Sequence, residues 1–233
     1  MILENKNWKP MYKTTAILTL IMLIIIPVQI IVFGLSSHPN TALGWIELFN
    51  SNSLLGLIHM DLLYLFNNII LVFIYFSILI SLYKTNTNTI TIAFILGSIA
   101  LIAYIASNKS VEMYFLSREY LSATHEIVKT SLIASAQNML LEWKGTSYVT
   151  YYFLGCITLF LIGFAMLKST IFSKATAILA LISAFFMSIP ANFGTIGLIF
   201  SLISLIPWYV FCILLVITFL KMSSNNPQKQ TSA

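Results

Sequence analysis

Charged residues are scarce in this chain: Asp, Glu, Lys and Arg make up 8% of its 233 residues, whereas 59% are hydrophobic. Soluble domains carry about 25% charged residues, so this composition excludes a water-soluble fold and a disordered chain. The formal net charge is +5, but the Lys and Arg residues form no cluster dense enough to bind along a phosphate backbone. We therefore expect a polytopic membrane protein whose partner is the lipid bilayer and which binds no nucleic acid.

Cysteine and nucleotide-binding motifs are also lacking. The two cysteines, Cys156 and Cys212, lie in long apolar runs without metal-ligand spacing or a C-x-x-C context, so we interpret them as packed thiols. The nine glycines form neither a G-x-G-x-x-G pattern nor a P-loop, which excludes an ATPase within this chain. No haem or flavin fingerprint is present, and we expect no cofactor.

Long apolar runs are abundant. A helix needs about 20 apolar residues to cross a bilayer, and the runs predict an all-α bundle of six transmembrane helices. We place these spans at about 14–34, 54–83, 89–107, 146–167, 174–189 and 195–221. Residues 35–53 are rich in Ser, Pro, Gly and Asn and are predicted to be a loop. The resulting divisions are an N-terminal segment 1–13, a transmembrane domain 14–221, and a tail 222–233 that we expect to be disordered.

The one long polar stretch, residues 108–145, lies between the third and fourth spans. Within it, Thr124–Trp143 has apolar residues at helical spacing but also carries Lys129. A lysine near the centre of a span costs about 3 kcal/mol. We therefore predict an external amphipathic helix on the membrane surface rather than a seventh span.

The distribution of positive charge predicts the orientation. If the N-terminus is cytoplasmic, eight of the twelve Lys and Arg residues fall in cytoplasmic segments, and the other four share the loop 108–145. Cytoplasmic loops carry an excess of Lys and Arg. We expect a multi-pass protein of the cell membrane with both termini in the cytoplasm.

Polar side chains near the external ends of spans two and three form the candidate site. Asp61 and Asn68 share one face of span two, and Asn108 and Glu112 share one face of span three. If these faces meet, they enclose an external-facing polar pocket for a small ligand or lipid headgroup, with Arg118 as the counter-charge of a carboxylate. The alternative is a structural hydrogen-bond network.

A metal site is the weaker interpretation. Its candidate ligands would be His59, His125 and Glu126, together with Asp61 and Glu112, but no H-E-x-x-H spacing is present, and we assign no metal. We expect a non-enzymatic protein that binds a small ligand or lipid, or acts as a sensor or partner subunit. A transporter or permease subunit and a membrane-embedded metal-dependent hydrolase stay open as alternatives.

Several runs carry a resemblance to a known family. They are LLGLIHMDLLYLFNN at 54–68, IASNKSVEM at 105–113, KSTIFSKATA at 168–177 and GTIGLIFSLIS at 194–204. Over about residues 14–221 the chain resembles bacterial membrane proteins grouped under the domain of unknown function 4386. The resemblance implies a six-helix protein of a bacterial membrane. It implies no activity and no catalytic residues, because that family is uncharacterised.

Overall fold

The computed structural model describes residues 7–224, and within that range the chain is all helical. Its nine helices are α1 (Lys9–Leu35), α2 (Ala42–Ser51), α3 (Ser53–His59), α4 (Leu62–Ser107), α5 (Ser110–Ser122), α6 (Glu126–Trp143), α7 (Thr146–Leu167), α8 (Lys174–Phe186) and α9 (Gly194–Ser224). The first three residues of the predicted disordered tail belong to α9, and the remainder of that tail lies outside the described residues.

Four stretches of the described chain are long and apolar enough to cross a membrane. They are α1, the α4–α5 stretch Leu62–Ser122, the α6–α7 stretch Glu126–Leu167, and α9. Helix α8 is apolar but shorter, with 13 residues. These helices support a transmembrane protein.

Helix α4 is far longer than one crossing requires. Its 46 residues would extend about 69 Å at the helical rise of about 1.5 Å per residue, against a hydrocarbon core of about 30 Å. The backbone leaves the helical conformation at Asn86 (φ −154°, ψ 57°), within the polar run Lys84-Thr-Asn-Thr-Asn88. The long helix therefore contains a break at the point where its sequence turns polar.

The chain divides into two compact units whose boundaries fall inside α1, α4 and α7. The first unit contains the described residues up to Leu23, the segment Ile70–Ile99 and the described residues from Tyr152 onward. In this unit the Thr15 and Ser77 hydroxyl oxygens lie 2.7 Å apart, fully buried. Such polar contacts between apolar helices fix their register, since apolar surfaces alone slide easily.

Pro27 interrupts the backbone hydrogen bonding of α1, and a residue of α9 supplies the missing donor. Proline has no N–H, so the carbonyl of Leu23, four residues earlier, loses its intrahelical donor. The hydroxyl of Tyr209 in α9 donates to that carbonyl oxygen at 2.8 Å. The hydrogen bond that proline removes from α1 is thereby replaced by one from a side chain of α9.

Helices α8 and α9 pack against each other, and small residues are buried on both. Ala180 and Ala184 of α8 are fully buried, and Gly197 of α9 is buried as well. Gly194, which begins α9, has φ +64°, a conformation that a side chain would strain. A turn with a left-handed glycine therefore leads directly into the second helix of a closely packed pair.

The second unit spans Ile24–Ile69 and Ala100–Tyr151. Helix α2 packs against α3, α5 and α6. Its apolar face presents Trp45, Ile46 and Phe49, at most 3% exposed, to Met113 of α5 and Trp143 of α6 within one buried cluster. Thr41 caps α2 by accepting a hydrogen bond from the Gly44 backbone N–H at 3.0 Å.

Two sequence predictions in this unit were wrong. The predicted loop 35–53 contains helix α2, because its polar residues act as caps while its apolar residues recur at helical spacing. The second span was predicted to begin at Leu54, but α3 ends at His59 and α4 begins at Leu62. A helix, α6, occupies the segment predicted to be helical, whereas α5 was not anticipated.

Candidate functional site

Asp61 occupies the break between α3 and α4. Its backbone is in the left-handed region (φ 66°, ψ 24°), where it is the only residue other than glycine with a positive φ in the described chain. Left-handed residues other than glycine cost about 1–3 kcal/mol and concentrate at functional positions. The Asp61 side chain makes no capping bond to α4, although it stands at the N-cap position. Its carboxylate is therefore turned to other partners.

Two neutral donors hold this carboxylate. The Gln29 side-chain amide of α1 donates to Oδ1 at 3.2 Å, and the Trp143 indole of α6 donates to Oδ2 at 3.1 Å. Burial raises the pKa of the Asp61 carboxyl from 3.8 to about 6, while the Lys144 charge and the two donors act in the opposite direction. Near pH 6 the Asp61 carboxyl is therefore poised between its charged and neutral forms.

Tyrosines of α4 and α7 lie beside the carboxylate. The ring of Tyr104 lies 4.8 Å from that of Tyr151 and 6.3 Å from that of Tyr148, centroid to centroid. Asp61 and Tyr64 are close enough to Tyr104 to interact with it electrostatically. Tyr104 is 5% exposed. The polar cluster therefore has an aromatic wall.

Three buried amide side chains of the same unit have unsatisfied polar atoms. Within residues 7–224, the Gln29 Oε1, Asn68 Oδ1 and both polar atoms of Asn67 have no hydrogen-bond partner. These side chains are at most 4% exposed. A buried polar atom without a partner costs about 1–3 kcal/mol. Such atoms occur in native proteins where a water or ligand completes them. We call Gln29, Asp61, Asn67, Asn68 and Tyr104 the Asp61 cluster.

A second polar group joins the end of α1 to α3. His59, fully buried, lies with Nε2 2.7 Å from the Ser36 hydroxyl oxygen and Nδ1 3.3 Å from Nε2 of His38. The Ser36 hydroxyl also donates to the Val32 carbonyl at 3.0 Å. One assignment satisfies every group: His38 donates to His59, and His59 donates to Ser36. Burial lowers the pKa of both imidazoles, that of His38 to about 4 with help from His59 and Lys144, so both are neutral at pH 7.

The Ser36 hydroxyl and the two imidazoles lie in series, as in an activated nucleophile, but here His59 donates to Ser36 and so does not act as its base. The surroundings do not suit acyl transfer. Ser36 follows the C-terminal end of α1, where the carbonyl dipoles carry partial negative charge and oppose an oxyanion. Phe33 stacks on His59 at 5.4 Å and meets His38 edge-on at 4.7 Å. We interpret this group as a structural connection between α1 and α3.

The predicted site residues have separate surroundings. Asn68 belongs to the Asp61 cluster, where its amide donates to the Tyr64 carbonyl at 2.8 Å. Asn108 donates to the Met60 carbonyl at 2.9 Å, so it fastens the start of α5 to the break beside Asp61. Glu112 and Arg118 are exposed on α5, and the donors on the Asp61 carboxylate are Gln29 and Trp143.

The residues considered for a metal do not assemble. His125 and Glu126 are exposed at the start of α6, where Glu126 Oε1 lies 3.4 Å from Lys129 Nζ. Over residues 7–224, no three His, Cys, Asp or Glu side chains are placed to hold a metal ion. His59 faces Ser36 and His38 instead.

Comparisons with family models, curated proteins and solved structures find no match to this chain. The resemblance drawn from the sequence runs stays a prediction. The case for function therefore rests on the geometry of the Asp61 cluster.

Sequence reasoning missed three members of this arrangement. Gln29 was visible as an amide inside an apolar helix, a signal that indicates function or helix contact. Trp143 and Tyr104 carried no such signal, because aromatic residues at span ends are typical of interfacial belts. Their role depends on α6 and α7 meeting α4, which a linear pattern does not reveal.

Proposed function

We propose that this chain is a six-span protein of a bacterial cell membrane that binds a small polar ligand or lipid headgroup at the Asp61 cluster, without catalysing a reaction. The observation that carries the proposal is a buried carboxylate held by neutral donors, together with unsatisfied buried amide atoms on its partner Gln29 and on Asn67 and Asn68, about two turns along α4. Folding these atoms away from water costs several kcal/mol unless another molecule satisfies them.

The six spans would be α1, the two parts of α4 on either side of Asn86, α7, α8 and α9. Helix α8 extends only about 20 Å, so its span would include the apolar residues that follow it, or thin the bilayer locally. In this topology α5 and α6 lie on the external surface. Ile127 and Leu141 of α6 are 85% and 66% exposed, as an interfacial helix requires.

The orientation follows the positive charges. Lys84 would lie in the turn between the second and third spans, and Lys168 and Lys174 between the fourth and fifth. These turns would face the cytoplasm, as would both termini. The break that holds Asp61 would then face outward, so the ligand would enter from outside the cell.

The ligand would supply hydrogen bonds that the buried amide side chains lack. In the Asp61 cluster, Gln29 uses its N–H group on the carboxylate and leaves Oε1 unsatisfied, while Asn68 uses its N–H group on a backbone carbonyl and leaves Oδ1 unsatisfied. Pockets that bind small molecules combine apolar walls with a few convergent polar atoms. The tyrosine rings and these amides have that composition.

Native mass spectrometry of the detergent-purified chain tests the proposal. We expect the wild type to carry a bound small molecule or lipid, and the double variant Asn67→Leu, Asn68→Leu to lose it. Glu119→Gln, an exposed carboxyl on α5, is the matched control and should keep the adduct. A wild-type mass without adduct, or an adduct that the double variant retains, would contradict ligand binding at this cluster.

Stability gives an independent readout. Leucine is close to asparagine in volume and needs no hydrogen bond, so the double variant should melt above the ligand-stripped wild type. Restoring the ligand should raise the melting temperature of the wild type alone. A double variant that melts below the stripped wild type would indicate that the two Asn67 atoms and Asn68 Oδ1 have protein partners.

A further inference from the structure

We propose that the ligand of the Asp61 cluster is a protonated amine, supplied as a free amine or as the ammonium headgroup of an aminophospholipid. This inference rests on the proposed function, because it names the chemical class of the ligand at the same site. Three features of the cluster support it: the charge of its carboxylate, the kind of atoms left unsatisfied, and the aromatic rings beside them.

The first feature is a carboxylate without an ion pair. Asp61 has two direct partners in the described chain, Gln29 and Trp143, and neither carries a charge. The cation that reaches it through space is Lys144, an exposed residue whose ammonium lies 4.5 Å over the Trp143 ring. A buried carboxylate is strongly stabilised by a cation in direct contact. A positively charged ligand would supply that contact.

The second feature is an excess of unsatisfied acceptors: the amide oxygens of Gln29, Asn67 and Asn68 outnumber the one unsatisfied donor, the Asn67 amide nitrogen. The amide orientations are fixed by their partners, since both the carboxylate bonded to Gln29 and the carbonyl bonded to Asn68 accept hydrogen bonds. The atoms left over on these two side chains are both carbonyl oxygens. A ligand that completes them must donate hydrogen bonds, as a primary ammonium does with its three N–H groups. A phosphate or carboxylate would leave these oxygens unsatisfied and would be repelled by Asp61.

The third feature is the aromatic wall. The Tyr104 ring lies 4.8 Å from that of Tyr151 and 6.3 Å from that of Tyr148, and Tyr104 interacts electrostatically with Asp61. The face of a tyrosine ring attracts a cation, more strongly when both are removed from water. Carboxylate, carbonyl oxygens and ring faces therefore favour the same ligand charge.

Calorimetry on the delipidated full chain in detergent tests the ligand class. The probes are ethanolamine, tetramethylammonium and inorganic phosphate at constant ionic strength. We expect ethanolamine to bind, tetramethylammonium to bind at least tenfold more weakly because it has no N–H donor, and phosphate not to bind. Asp61→Asn should weaken ethanolamine binding by about tenfold to a hundredfold, the range of a charged hydrogen bond. Glu119→Gln should bind ethanolamine like the wild type.

A wild-type pH series keeps the test decisive if Asp61→Asn does not fold. Ethanolamine affinity should fall as the pH is lowered through about 6, where the Asp61 carboxyl becomes neutral. Affinity that stays constant from pH 7 to pH 5, or tetramethylammonium or phosphate binding as tightly as ethanolamine, would overturn the inference.

Nanodiscs separate the two sources of the amine. If the ligand is a headgroup, the wild type should melt higher in discs containing phosphatidylethanolamine than in discs of phosphatidylcholine alone, and Asp61→Asn should remove the difference. If the ligand is free, the two discs should give equal melting and added ethanolamine should raise both. An adduct that depends on Asn67 and Asn68, together with no response to any ammonium probe, would overturn the amine and leave the ligand site standing. Absence of both would overturn the two proposals together.

Discussion

On acidification, Asp61 should stabilise the folded protein and His38 should destabilise it, and the two effects can be measured separately. The folded-state pKa of Asp61 is raised from 3.8 to about 6, so the folded protein binds the proton more tightly than the unfolded chain. The contribution of Asp61 to the free energy of unfolding is fully present below about pH 3.8 and is lost as the pH rises through 6. The pKa of His38 is lowered from 6.5 to about 4, so its contribution is present above 6.5 and is lost as the pH falls through 4.

The magnitudes follow from the same values. A difference of one pKa unit corresponds to about 1.4 kcal/mol, so the whole shift of Asp61 amounts to about 3 kcal/mol, of which about 2 kcal/mol is added to the free energy of unfolding as the pH falls from 6 to 4. His38 is partly exposed, and solvent screening reduces its opposing contribution over this interval to about 1–2 kcal/mol. His59, whose pKa is also lowered, acts in the same direction as His38. The wild type should therefore show a nearly flat stability profile between pH 6 and 4.

Two variants each remove one of the two titrating groups. Asp61→Asn keeps the shape and tolerates the left-handed backbone, so its stability should fall on acidification relative to the wild type. His38→Asn should instead gain relative stability over the same interval. The assay is denaturant unfolding in detergent at pH 4, 5, 6 and 7, reported as differences from the wild type, in which all unchanged groups cancel. Difference curves that are flat, or that slope in the same direction for both variants, would refute the electrostatic reasoning.

Three further predictions concern one interhelical hydrogen bond and the membrane topology. Tyr209→Phe should lower the free energy of unfolding by about 1–3 kcal/mol because it leaves the Leu23 carbonyl without a donor, and an unchanged denaturation midpoint would contradict that role of the hydroxyl. Reporter fusions after Lys84 and Lys168 should read cytoplasmic and one after Lys129 external, whereas an external signal from the Lys168 fusion would contradict the six-span topology. Cysteines placed at positions 129 and 142 should both react with an impermeant reagent from outside, and labelling from opposite sides would make α6 a span.

The sequence was informative where a single helix face decides the structure. Helix α7 covers Thr146–Leu167, as its apolar run predicts, and α8 begins at Lys174, where the fifth run was placed. The loop assigned to 35–53 failed because Thr41 and Asn52 cap helices there, and capping residues have the same composition as turns.

The site was predictable only in part. Asp61 and Asn68 were found from their spacing, since residues seven apart share a helix face. The left-handed break at Asp61 was not visible, because aspartate adopts that conformation only under the constraint of its surroundings. The partners Gln29 and Trp143 lie 32 and 82 residues away along the chain, and contacts of that range depend on packing between helices.

The central claim is that the buried amides of the Asp61 cluster are completed by a bound molecule. An experimental density map of the full chain in a nanodisc of its native lipids tests it most directly. We expect non-protein density within hydrogen-bonding distance of Gln29 Oε1 and of the Asn67 and Asn68 side chains. Amides that are hydrogen-bonded to protein groups alone, with no additional density beside Asp61, would contradict it.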